Sequence, residues 1–163
     1  MTPAAPDRFD ACAAAIMAAR GPFHRHDPLF GGPSAHGIGL GLLSVWVGGP
    51  ADEAALRLLG EAGAARILRQ MVWAPLGAAR LAAGPDLALF AYAAEAGTMQ
   101  ALADLQEDLG VEATGAADAA TIAAARAREP ALLARAIRRR HQAWRRGRGL
   151  PAATMGEPLR KAG

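Results

Sequence analysis

The chain has 163 residues, long enough for one domain with a sizeable core. Alanine fills 43 positions, arginine outnumbers lysine 17 to 1 and eight residues are aromatic, a bias that suits closely packed helices. The single cysteine, Cys12, excludes an internal disulfide, and no run reaches the ~20 apolar residues a bilayer crossing needs. The formal charge of +3 is unevenly placed: residues 1–125 carry −6 and residues 126–163 carry +9. The basic end therefore suits anionic polymers, although a solvated helix face accounts for it equally well.

Pro6-Asp7 is a start signal for a helix whose face carries Phe9, Ala13, Ile16 and Arg20. Gly21-Pro22 ends it, and residues 21–37, rich in Gly and Pro, are expected to form a loop. Ile38 to Val47 is an apolar run whose periodicity fits a strand or a helix. Two short helices, Asp52 to Leu59 and Glu61 to Val72, break at Gly60, and Pro75-Leu76-Gly77 makes a turn. Helices are expected over 86–96 and 98–109, ended by Gly97 and Gly110, then over Ala116–Arg128 and Ala131–Trp144 on either side of Pro130. The fold class is all-α, with six or seven helices. Residues 1–147 form one domain and 148–163 a flexible tail. The N-terminus lacks the ordered charged and apolar regions of a signal peptide, so the protein is expected to be cytoplasmic as synthesised.

Several short signals are weak by themselves. His24, His26, His36 and Asp27 lack a matching downstream ligand pair, so no metal is expected, nor any other cofactor. Gly37-Ile38-Gly39-Leu40-Gly41 lacks the strand and acidic residue of a dinucleotide site. Arg138-Arg139-Arg140-His141 with Trp144-Arg145-Arg146 is a basic run with an aromatic, but three consecutive arginines point in different directions on a helix, which supports nonspecific polyanion contact and no more.

The order of landmarks is more specific. Arg20-Gly21-Pro22-Phe23 is followed by Asp27-Pro28, Gly31-Gly32 with Ser34, and Gly37-Ile38. Trp73-Ala74-Pro75 comes next, then "LALFAYAAEAG" and "LADLQEDLGVEATGAADAATIAA". Over about residues 8–146 this succession resembles the lysozymes of glycoside hydrolase family 108. Residues 8–97 correspond to the catalytic-type portion and 98–146 to the peptidoglycan-binding-like portion. The resemblance implies a compact lysozyme-like fold and peptidoglycan glycan or peptide as partner. It also implies a place in a phage-derived particle beside phage structural proteins, or passage to the periplasm through a holin.

Departures from the family pattern fall on the positions expected to do chemistry. Arg20 stands where the resemblance places the catalytic glutamate. Gly39 replaces a threonine, Ala91 an aspartate, Glu95 an asparagine, and Thr114-Gly115 an Asp-Gly pair. Glycoside hydrolysis needs a carboxylic acid to protonate the leaving oxygen, and an arginine cannot supply that proton. The expectation is thus a catalytically degenerate muramidase-like protein that binds peptidoglycan or serves as a structural module. Two alternatives remain. One is an active muramidase using a displaced carboxylate, Asp27 or Glu95; the other is a nonspecific polyanion-binding helical protein. The resemblance places Phe23, Ser34, His36 and Glu95 along the ligand cleft, with Arg20 and Glu95 as the expected ion pair across it.

Overall fold

The computed structural model describes residues 7–153; the Pro6 start signal and the last ten residues of the expected tail lie outside them. Helix α1 (Phe9–Arg20) buries Phe9, Cys12, Ala13 and Ile16, a helical repeat that sets one face against the core. The Asp7 carboxylate accepts from the Phe9 amide at 2.9 Å, satisfying a donor of the first turn. Gly21 ends the helix at φ +79°.

The segment 21–37 is where the structure departs from the expected loop. It forms a small antiparallel sheet of β1 (Phe23–Asp27), β2 (Gly32–Ala35) and β3 (Ile38–Gly39), in that order. Three strands in a segment full of Gly and Pro were not visible as periodicity, because they are two to five residues long and lack β-branched residues apart from Ile38. Turn chemistry builds them instead. Ala35 pairs with Ile38 across His36-Gly37, whose φ angles of +53° and +84° are the positive values a two-residue hairpin of matching twist requires. Gly37 is also needed for space, since a Cβ there would sit 3.2 Å from Arg20 Cγ. The ambiguous run at 38–47 resolves as both forms: two strand residues, then α2 (Leu40–Val47).

Among the described residues there are eight α-helices, one more than the upper expectation. After α2 come α3 (Glu53–Leu58) and α4 (Gly60–Leu68), the latter continued by a π-helical turn over Arg69–Trp73. Asp52 caps α3 by accepting from the Ala55 amide. A short 3₁₀ turn, Ala78–Arg80, leads to α5 (Pro85–Ala96). Helix α5 is buried on every side from Pro85 to Ala93, so it is the hub on which α1, α6 and α8 pack. Phe90 meets Phe9 and Trp73 there, with Trp73 edge-on to each at 5.6 and 5.2 Å between ring centres.

Helix α6 (Thr98–Leu109) ends at Gly110 in the left-handed conformation. The connection to α7 (Ala119–Arg126) is pinned by the fully buried Gln106. Its amide nitrogen lies 2.8–2.9 Å from Thr114 Oγ1, Ala116 O and Thr121 Oγ1, and its oxygen accepts from the Gly115 amide. Glu129 caps α8 (Pro130–Gly147), which starts on proline. Residues 148–153, expected as tail, fold back along α8: Gln142 exchanges two hydrogen bonds with Ala153, and Arg145 Nε donates to Pro151 O at 2.6 Å. One hydrophobic cluster runs from Phe9 to Ile137, so the mostly helical chain shares a single core.

Candidate functional site

The C-terminus of α1, the β1–β2 hairpin, the end of α5 and the C-terminal half of α8 converge on Arg20. Each contributes a charge. Arg20 Nη2 donates to Asp27 Oδ2 at 2.7 Å, while Arg20 Nη1 stands 3.7 Å from Glu95 Oε1. Glu95 Oε2 accepts from His141 Nε2 at 2.7 Å and from Arg145 Nη1. His141 is held in place by stacking on Tyr92, with 5.0 Å between ring centres. Tyr92 in turn donates to Asp104. The expected Arg20–Glu95 pair is thus present, but it is the longer contact for both partners.

Asp27 is buried and fully occupied. Its Oδ1 accepts from the Leu29 amide at 3.0 Å and its Oδ2 from Ser34 Oγ at 2.7 Å, besides Arg20. Its main-chain oxygen accepts from the amides of Phe30 and Gly31, which closes the β1–β2 turn. Burial raises the Asp27 carboxyl, but the hydrogen bonds from Ser34 and Leu29 and the nearby Arg20 charge outweigh it and hold it below the ordinary carboxylate value. Glu95 behaves alike. Burial pushes it up, and the hydrogen bonds and charges of His141 and Arg145 bring it below its ordinary value.

The other expected site residues do not join this cluster. Ser34 is buried and spends its hydroxyl on Asp27. Phe23 lies under the Arg57 guanidinium, 3.9 Å from ring centre to charge, on the α3 side of the sheet. His36 sits in the positive-φ turn, where its amide donates to the carbonyls of Gly21 and Pro22. His24 Nε2 lies 2.6 Å from the Arg20 carbonyl, which makes it the donor. Among the described residues no cluster of His, Cys, Asp and Glu has the arrangement to hold a metal.

Sequence reasoning missed three residues. His141 and Arg145 were read only as part of a basic run. The signal was their spacing of four behind Leu133 and Ile137, which puts all four on the buried face of α8. Phe30 was not singled out. Its ring covers Gly39, where an added Cβ would lie 2.9 Å from Phe30 Cγ and Cδ1. Gly39 is also the N-cap of α2 and offers no side-chain cap. The glycine is therefore there for Phe30, since its φ of −91° is open to any residue.

Phe30 lines two spaces. One is a nearly filled cavity bordered by Arg20, Ala91 and Glu95, with the Arg20 guanidinium 5.8 Å from the Phe30 ring centre. The other is an open groove of about 340 Å³ lined by Gly31, Gly32, Pro33, Leu40 and Leu42. No family model matches the chain, and no curated protein matches it. A solved structure does.

The chain is similar to SagA of Brucella abortus. The TM-score is 0.81 and the identity 29%, over 88% of this chain and 82% of SagA. Agreement at that level over most of both chains means that the two share a fold. No described helix is long and apolar enough to cross a membrane.

Proposed function

We propose that this protein is a catalytically degenerate relative of the family 108 lysozymes that binds peptidoglycan, or holds a structural place against it, without cleaving it. The observation that carries the reading is the ion cluster around Arg20. A glycosidase acid must keep its proton at working pH, which requires a carboxyl raised above its ordinary value. The two carboxyls in reach of the Arg20 position, Asp27 and Glu95, are both lowered. A permanently charged guanidinium between them also opposes an oxocarbenium-like transition state. The likeness to SagA supports a lysozyme-like scaffold, and the ordered motifs support the family.

Incubation with purified peptidoglycan between pH 4 and 8 tests the reading, following released muropeptides and sedimentation of the protein with the wall. Co-sedimentation without release is expected. Release that disappears in Asp27→Asn or Glu95→Gln would overturn the degenerate reading in favour of a displaced carboxylate.

A second contact surface rests on a different observation. Arg140 turns to Asp104, Glu107 and Asp108 of α6, so it is not part of a free basic run. Arg135, Arg139 and Arg146 remain, exposed on the face of α8 opposite Leu133 and Ile137, with no carboxylate in ion-pairing range among the described residues. This stripe is the surface for polyanion contact.

A further inference from the structure

A cavity of about 270 Å³ lies between β1 and the segment that folds back after α8. Arg20, His24, His26 and Arg145 line it, with Leu150 and Pro151 as an apolar wall. The two guanidiniums are incompletely used. Arg145 is nine-tenths buried, gives Nε to Pro151 O and Nη1 to Glu95, and has no acceptor for Nη2 among the described residues. Arg20 gives Nη2 to Asp27, and its Nη1 stands 3.7 Å from Glu95, beyond hydrogen-bonding range. Arg20 Nε is in addition the one buried side-chain polar atom without a hydrogen-bond partner among the described residues, so both guanidiniums have N–H groups free for an added acceptor.

The charge balance narrows the ligand. Arg20 and Arg145 are already matched by Asp27 and Glu95, and Asp27 itself lines the cavity. The surplus is therefore in hydrogen-bond donors, not in net charge. That favours a singly charged, planar acceptor with a small apolar group beside it over a dianion such as phosphate. The size suits a dipeptide end and is too small for a disaccharide with its peptide.

We infer that this cavity is a carboxylate subsite that receives the free C-terminal carboxylate of a wall peptide, with the terminal methyl group against Leu150 and Pro151. This rests on the wall-binding reading and specifies which part of the wall is held: the peptide end, in a cavity that shares no lining residue with the Phe30 groove. The fold-back of residues 148–153 is what makes the site, because without it Arg145 would face solvent.

The test is an NMR titration of the full chain with four probes. They are N-acetyl-D-alanyl-D-alanine, its C-terminal amide, inorganic phosphate, and a disaccharide-peptide with a free C-terminal carboxylate. The free acid is expected to shift the amides of residues 24–29 and 148–153 and the Arg145 side-chain signal. The amide should bind about tenfold more weakly, since one charge-assisted pair is lost. His26→Glu, at an exposed position that leaves the buried cluster intact, should weaken the acid about tenfold without moving the urea midpoint. Equal binding of acid and amide, phosphate binding as well as the acid, or an unchanged affinity in His26→Glu would overturn the subsite. The disaccharide-peptide separates this inference from the reading it rests on. If it binds but shifts only residues 30–42, wall recognition stands and the subsite falls. If the dipeptide acid shifts the cavity while the disaccharide-peptide binds nowhere, the carboxylate subsite stands and wall recognition falls.

Discussion

Arg20 and Glu95 face each other at 3.7 Å, yet each gives its shorter contact elsewhere, Arg20 to Asp27 and Glu95 to His141 and Arg145. Two cations and two carboxylates thereby form a chain across the molecule, from the hairpin through α1 and α5 to α8. Removing Arg20 leaves the buried Asp27 without an ionic partner, and removing Glu95 leaves the buried Arg145 without one. Putting a glutamate back at position 20 is therefore not a restoration. The prediction for Arg20→Glu is no muramidase activity and a loss of stability on the order of 3 kcal/mol, as three carboxylates would then share one pocket. Urea unfolding and muropeptide release check it; activity gained with stability kept would refute it.

Acid should loosen the same chain. Asp27 and Glu95 both lie below their ordinary values when folded. A depressed carboxyl contributes stability that is fully present above its unfolded value, about 4, and that is lost as pH falls through the lower folded value. Asp7, Glu53 and Asp118 are lowered too, so the wild-type acid response is composite. Glu95→Gln isolates one part of it. The variant should be less stable by several kcal/mol at pH 7, because Arg145 and His141 lose their carboxylate. The gap to wild type should narrow as pH falls below about 4. A gap constant from pH 7 to 3, read from urea midpoints, would mean that the Glu95 charge is not what the site depends on.

Helices were legible where they carried a repeat and a stop: Phe9–Ala13–Ile16 before Gly21 and Leu102–Leu105–Leu109 before Gly110. The Arg20–Glu95 proximity was legible only through the family resemblance, since nothing local joins positions 75 residues apart. The sheet was not legible, as its strands are too short to show alternation and depend on a turn with a histidine at positive φ. Asp27 as the first partner of Arg20 was hidden for a related reason. Only the hairpin register, with Phe23 opposite Ala35 and His24 opposite Ser34, carries it back toward α1. His141 and Arg145 were masked by their neighbours, because exposed and buried arginines look alike until the helix phase is known.

The Phe30–Gly39 contact makes a prediction that does not depend on function. Gly39→Thr should destabilise by about 1–3 kcal/mol, since the new side chain must displace the Phe30 ring. In a Phe30→Ala background the same change should be neutral or stabilising by up to about 1 kcal/mol, as threonine can then cap α2. A double-mutant cycle measures the coupling. Additive effects would show that Phe30 is not why position 39 is glycine.

The basic stripe of α8 yields the last prediction. Arg135 and Arg139 are one turn apart and Arg146 two turns further, so their charges lie along roughly 16 Å of one helix face. A row of this kind matches a linear chain of regularly spaced anions better than a flat surface, and no aromatic side chain on the stripe is placed to stack on bases. Contact should therefore be to the phosphate backbone and indifferent to sequence. Double-stranded DNA of any composition should bind with affinity that falls steeply with salt. Each arginine changed to glutamine at 135, 139 or 146 should lower the log–log salt slope by about 0.9. Arg66, exposed on α4 and far along the chain from the stripe, supplies the control, and Arg66→Gln should leave the slope unchanged. Equal slopes for the wild type and the triple variant would remove the stripe as a binding surface and leave these arginines as solvated charge.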